Sequence, residues 1–193
     1  MRHDPSRWDE NILRYTPLDM DYKGWLEKSP YVLKAAKLGN HILEVGGGSG
    51  LGCLSIKKEF PEKEVTYSDT NDEVCRLAVK RFAFHNVEIP VKKIDAFNLP
   101  FDRNAFDVIY HEGVAEHYDE PDIIRMLREH LRVAKFVVMD VPTKWGLGMG
   151  GYGDERKFDN IDWHGIVFRA GKIVEQFFRE KRYGCVLTRR LEL

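Results

Sequence analysis

Cysteine is scarce in these 193 residues, neither sign of charge is in excess, and long apolar runs are missing. The three cysteines, Cys53, Cys75 and Cys185, form an odd, widely spaced set without a C-x-x-C pair or cysteine–histidine ligand spacing. That argues against a disulfide scaffold or a zinc module and for buried thiols in a reducing compartment. Thirty Lys+Arg against 31 Asp+Glu leave a formal net charge of −1, so no global field draws the chain to nucleic acid or to an anionic membrane. No apolar stretch reaches the length of a bilayer span, and the opening residues Met1–Glu10 are too charged for a secretory leader. A soluble, cytoplasmic chain is the expectation. Neither an internal repeat nor a low-complexity tract occurs. One domain is expected over 1–193, with 1–40 as a helical, aromatic-rich cap segment and 41–193 as its core.

What is abundant is glycine at one place. Ile42–Gly52 reads I-L-E-V-G-G-G-S-G-L-G. A short apolar run leads into a glycine turn, and an apolar-periodic segment follows directly, which is the opening of a nucleotide-type βαβ unit. The glycine register excludes a dinucleotide fingerprint. Counting G-x-G-x-x-G from Gly46 puts Leu51 at the third glycine, and counting from Gly48 puts Cys53 there. The spacing that fits is acid-x-G-x-G-x-G, carried by Glu44, Gly46, Gly48 and Gly50.

Downstream the pattern alternates. Strands are expected at 41–45, 64–68, 90–94, 106–110 and 134–140, with helices at 51–60, 72–84, 120–132 and 160–170, the last capped by Asp159. A closing antiparallel hairpin is expected from 173–178 and 185–191. This predicts an α/β fold, a doubly wound, seven-stranded, mostly parallel sheet with helices on both faces and an antiparallel last strand. Upstream, a helix is expected over Tyr31–Leu38, ended by a Gly39-Asn40 cap. Asp69 falls at the carboxyl end of the second strand, where ligands of open α/β sheets bind, and an acid there suits ribose hydroxyls. The alternative is a helix cap, a role that Thr70 or Asn71 also fills. The glycine-rich stretch Thr143–Gly153 reads as a flap on the ligand side, and Tyr15 and Tyr22 are candidates for lining a substrate pocket. The charges Arg179, Lys181, Arg182, Arg189 and Arg190 read as a solvated face.

Four segments in order, Glu44–Gly50, Asp69, Asp95-Ala96 and Tyr110–His117, resemble the class I S-adenosylmethionine (SAM) dependent methyltransferases of the small-molecule type. The resemblance implies SAM as cofactor, with Glu44, Gly46, Gly47, Gly48, Gly50, Asp69, Thr70, Asp95, Ala96 and Tyr110 around it. Asp95 would accept from the adenine amino group, which a 6-oxo base lacks. His111, Glu112 and His117 would stand where the methyl group is delivered, His111 as candidate base. The acceptor implied is a small molecule with a nucleophilic oxygen or nitrogen. No metal is expected, because H-E-x-x-H spacing fails at His111 and His117. Two alternatives stay open: a non-catalytic, SAM-binding interaction domain, and an aminopropyltransferase, although Tyr110-His111 stands where that family carries an acidic pair.

Overall fold

The computed structural model describes residues 16–146, 155–179 and 181–190. Two short helices, α1 (Tyr22–Glu27) and α2 (Pro30–Leu38), precede β1 (His41–Val45). Then follow α3 (Leu51–Glu59), β2 (Glu64–Asp69), α4 (Asp72–Phe84), β3 (Val91–Lys93) and β4 (Phe106–Glu112). A 3₁₀ turn at Ala115–His117 leads to α5 (Glu120–Val133), β5 (Ala134–Pro142), α6 (Asn160–Ala170), β6 (Lys172–Arg179) and β7 (Arg182–Thr188). The strands form one seven-stranded sheet in the order β3-β2-β1-β4-β5-β7-β6. β1 to β5 pair in parallel, and β7 runs antiparallel to both β5 and β6. The expected architecture is the observed one.

Alternation along the strands divides the core in two. Leu43, Val45, Ile109, Val137 and Met139 pack with α5 and α6 on one face. Ile42, Val65, Tyr67, Val108, Tyr110 and Val138 pack with α1 to α4 on the other. Caps fix the helix entries. Asn71 accepts from the Glu73 and Val74 amides at the start of α4, so Asp69 is not the cap. Asp159 and Asp162 close a reciprocal capping box on α6. All three cysteines are buried free thiols. Among the described residues no helix is long and apolar enough to cross a membrane.

Several expectations need correcting. Helix α1 was not anticipated. α2 stops at Gly39, but with extended rather than left-handed backbone (φ −169°). β4 runs on to Glu112 because β5 continues to pair with it, His111 opposite Met139 and Glu112 opposite Asp140. β7 begins at Arg182 rather than at 185. Tyr22 does not line a ligand pocket: its hydroxyl donates to Glu59 at 3.2 Å, at the end of α3 remote from the glycine turn. Tyr15 and residues 147–153 of the expected flap lie outside the described residues. In the part of that stretch that is described, the Thr143 amide and hydroxyl both donate to the Lys181 carbonyl, at 2.8 and 2.9 Å.

Across the closing hairpin Phe177 lies opposite Gly184, and a Cβ on that glycine would overlap the Phe177 ring. Gly184→Ala should therefore destabilise the fold by about 1–3 kcal/mol through overpacking. Thermal unfolding reads this as a midpoint lowered by several degrees; an unchanged midpoint would mean the ring swings aside without cost.

Candidate active site

The strand order reverses between β1 and β4, and at such a point the loops leaving the two strands diverge and open a crevice at their carboxyl ends. The glycine turn leaves β1 at that crevice. Gly46, Gly48 and Gly50 have φ of +65°, +49° and +77°, a region that side chains disfavour. A Cβ on Gly46 would also lie 2.5 Å from Val114 Cγ2. Gly47 is small for another reason, since a Cβ there would overlap the buried Tyr67 ring.

Beneath the turn sits Glu44, 6% exposed. Its Oε2 accepts from the Cys53 amide at 3.1 Å, and so caps α3, whose own N-cap residue, Gly50, has no side chain for the purpose. Burial pushes the Glu44 pKa up to about 7, against the pull of the hydrogen bonds from Cys53 and Tyr110. Gly52 is required above it, because a Cβ would fall on Glu44 Oε1 and 2.7 Å from the Tyr110 hydroxyl.

A pocket of about 680 Å³, including its open mouth, lies over the carboxyl ends of β1 to β4. Its lining contains Gly46, Gly48, Asp69, Thr70, Asp95, Ala96 and His117. These are brought together from four loops far apart in sequence. Asp69 accepts from the Gly48 amide (3.1 Å) and the Asn71 amide (3.0 Å). Asp95 is exposed, with Oδ1 accepting from the Phe97 amide at 2.9 Å. Val45, Asn71, Val74, Ile94, Gly113, Val114 and Tyr118 complete the wall. None of them is assigned to the ligand site from the sequence, where Asn71 reads only as a possible helix cap, although each lies within a few residues of a recognisable motif position. Tyr118 packs edge-on against Phe97, ring centroids 4.8 Å apart.

Other residues implied by the resemblance lie elsewhere. Tyr110 is fully buried, with its hydroxyl 3.7 Å from Cys53 Sγ, so it supports Glu44 from below and does not line the pocket. His111 is also fully buried and points to the opposite face, its ring edge-on to His130 at 5.3 Å. Both His111 nitrogens lack a hydrogen-bond partner among the described residues, and burial drives its pKa well below the usual histidine value. A neutral imidazole packed under α5 does not reach a pocket ligand. Behind it, His130 Nε2 donates to the Ala96 carbonyl at 3.1 Å, the only sense open to a carbonyl partner. His130 thereby braces the Asp95-Ala96 corner.

Glu112 faces the side opposite to His111. Tyr31 donates to its Oε2, and Arg182 Nη2 lies 3.0 Å from its Oε1. Arg182 Nε also donates to Asp140, which is 1% exposed. Arg182 is therefore drawn in from the expected solvated face by two carboxylates at the ends of β4 and β5. Nothing in the local sequence marks Tyr31, Asp140 or Arg182 as partners. Glu116 is 4% exposed, with Oε2 unpartnered among the described residues. Burial pushes its pKa from the ordinary 4.5 to about 8, partly offset by the Arg182 charge.

A methyltransferase-domain family model matches residues 42–136. The ubiquinone/menaquinone biosynthesis C-methyltransferase UbiE of Rickettsia akari is 30% identical over 118 residues, 57% of this chain and 46% of that protein. The chloroplastic 2-methyl-6-phytyl-1,4-hydroquinone methyltransferase 1 of Oryza sativa subsp. japonica is 32% identical over 106 residues, 53% of this chain and 31% of that protein. The chain thus matches less than half the length of either. Among solved structures, a SAM-dependent methyltransferase from Aquifex aeolicus superposes with a TM-score of 0.72 at 20% identity, covering 96% of this chain and 98% of that one. The PH0226 protein of Pyrococcus horikoshii OT3 gives 0.74 at 16% identity, covering 91% and 95%. At these identities the structural likeness speaks for the fold.

Two outcomes follow from this geometry. Asp69→Ala should weaken binding of S-adenosylhomocysteine by about 1–3 kcal/mol, the usual loss when a buried polar partner is left unpaired; calorimetry on the folded variant reads it, and unchanged affinity would remove Asp69 from the ligand's contacts. Glu116, with a folded pKa raised to about 8, favours the folded state at low pH. That contribution is whole below about 4.5 and is lost as pH rises through 8, and Glu44 at about 7 acts in the same direction. Glu116→Gln should accordingly flatten the fall in melting temperature between about pH 5 and 8. Parallel wild-type and variant curves would refute the assignment.

Proposed function

We propose that this chain, with its methyltransferase-domain match over residues 42–136, is a class I SAM-dependent methyltransferase that carries the methyl group of SAM to an oxygen or nitrogen nucleophile of a small-molecule acceptor. The observation that carries the reading is the single pocket joining a glycine turn to carboxylates at the ends of two successive strands, Asp69 and Asp95. A group with an amino-acid end, a ribose diol and a 6-amino base fits those donors and acceptors in that order. The backbone of Gly46 and Gly48 would take the methionine end, Asp69 the ribose hydroxyls, and Asp95 with Ala96 the adenine edge, between the apolar walls of Val74 and Ile94. The crowding of a Gly46 Cβ by Val114 fits a turn kept bare for a close ligand.

The cofactor supplies an electrophilic methyl on a sulfonium centre. The chain's part is alignment, exclusion of water and, for an oxygen or a protonated nitrogen, removal of a proton. His117 lines the pocket, so it is the group we assign to receive that proton, in place of His111; Glu112, held by Tyr31 and Arg182 at the end of β4, is not among the lining residues. Tyr31, Glu112, Asp140 and Arg182 present more carboxylate than cation. Such an edge favours an acceptor with hydroxyl or amino donors over an anionic one. A second reading has one specific support: the named curated relatives methylate carbon or act on hydroquinone. A hydroxylated ring accepting at carbon would meet the same carboxylates through its hydroxyl groups.

Calorimetric titration with S-adenosylhomocysteine, NAD and decarboxylated SAM is the test. Selective binding of S-adenosylhomocysteine is expected, followed by methyl transfer from SAM to at least one member of a panel of hydroxy- and amino-substituted small molecules. Binding without turnover on any acceptor would favour a non-catalytic, SAM-binding domain. Preference for decarboxylated SAM would favour aminopropyl transfer. Silence with all three ligands would reduce the glycine turn to architecture.

A further inference from the structure

Arg81, in the last turn of α4, is fully buried and has no part in the reaction outlined above. Among the described residues its hydrogen-bond partners are three backbone carbonyls and no carboxylate. Nη1 donates to Ser49, and Nη2 donates to Thr16 at 2.6 Å and to Pro17 at 2.7 Å. A guanidinium removed from water without a counter-ion is costly, and burial here lowers its pKa. What the planar fork offers in return is geometry: one rigid group that holds two chain segments at once.

The first of those segments is the glycine turn, whose peptides are held one by one. The Gly47 amide donates to the Ser68 carbonyl at 3.0 Å, and the Gly50 amide to the Gly47 carbonyl at 2.9 Å. The Gly48 amide is taken by Asp69, and the Gly48 carbonyl by the Tyr67 hydroxyl at 2.8 Å. Of the carbonyls of residues 47 to 49, the last is held by Arg81. That bond sets the 49–50 peptide, and with it Gly50, whose carbonyl accepts the Leu54 amide at 3.0 Å and starts α3.

The second segment is Thr16–Leu18. The Leu18 carbonyl faces His85 Nε2 at 3.0 Å, and its side chain packs on Val74 and Leu77. Val74 lines the pocket. α4 thus grips the N-terminal stretch on one side and braces the ligand turn on the other, with Arg81 common to both.

We propose that Arg81 is a positioning residue for the cofactor turn, and that docking of Thr16–Leu18 and cofactor binding are coupled through it. The inference rests on the function proposed above. Coupling of this kind is reciprocal: what helps the segment dock helps the turn bind, and binding must tighten the segment. A strut with a merely structural role would lower stability and leave affinity alone.

The experiment uses the full chain. Wild type, Arg81→Met and Arg81→Lys are titrated with S-adenosylhomocysteine well below their melting temperatures, with folding checked by circular dichroism. Arg81→Met should raise Kd roughly ten- to a hundredfold, as for loss of charge-assisted hydrogen bonds. Lysine keeps the charge without the fork and should fall between. Once an acceptor is in hand, KM for SAM should rise with kcat unchanged. The second readout is amide exchange at Met20, whose N–H donates to the Pro17 carbonyl at 3.1 Å. S-adenosylhomocysteine should slow it in wild type and not in Arg81→Met. Wild-type affinity in Arg81→Met, or Met20 exchange indifferent to ligand in wild type, would overturn the coupling and leave Arg81 a strut. Should Arg81→Met not fold, Arg81→Lys and the wild-type exchange decide the matter. Wild type that binds no S-adenosylhomocysteine fails the methyltransferase reading itself, and the coupling with it; a bound wild type beside an unaffected variant fails the coupling alone.

Discussion

The hydrogen bond from the Cys53 amide to the buried Glu44 carboxylate joins β1 to α3 across the glycine turn, and the geometry of the ligand crevice depends on it. A helix start normally finds its acceptor in the residue before it. Here that residue is Gly50, in left-handed backbone and without a side chain. The acceptor comes instead from the strand below, and the turn between them is released from capping. Its glycines can then take the positive φ values that present bare backbone to the pocket. Two further requirements follow. Gly52 must lack a Cβ so that the helix can sit on the carboxylate, and Tyr110 must fill the space beneath. Read this way, Glu44 and Tyr110 act on a ligand through the turn they support.

The carboxylates that do reach the pocket are placed by the parallel sheet. Every parallel strand delivers its carboxyl end to the same edge. An acid ending β2 and another just past β3 therefore arrive side by side, although 26 positions, Asp69 to Asp95, separate them in sequence. The pocket lining assembles from loops in this way without any helix having to move.

The fold and the cofactor side were legible because they rest on signals local in sequence: apolar runs of strand length, glycine spacing, an acid at a strand end. The acceptor side was not, and β4 shows why. Read as ending at Tyr110, it left His111 in a loop, free to turn toward a ligand. Pairing with β5 carries the strand two residues further, and in a strand the face of each side chain is dictated by parity. His111 then joins Ile109 under α5, while Glu112 joins Tyr110 on the other face. Strand pairing is a long-range property, so the choice between His111 and Glu112 could not be made from the residues around them. The same holds for Arg182. It looked solvated amid four other basic residues until the earlier start of β7 set it opposite Pro142, within reach of Asp140 and Glu112. Arg81 was invisible for a related reason, since its partners are carbonyls, which no sequence pattern marks.

Polar burial in this molecule is lopsided. Glu44, Glu116, His117 and Asp140 are all less than a tenth exposed, and all lie toward the carboxyl ends of the strands. At the opposite edge, the pairs formed by Asp107 with Lys135 and by His41 with Glu64 remain partly or largely in solvent. Burying ionisable groups opposes folding, and the raised pKa values of Glu44 and Glu116 register that cost. A chain selected for stability alone would spread such groups over the surface or replace them with apolar ones. Concentrating them where the strand order reverses trades stability for a polar, partly dry edge in which hydrogen bonds and charges act with little screening. The apolar layers beneath, closed by α5 and α6 on one face and α1 to α4 on the other, are what make that trade tolerable.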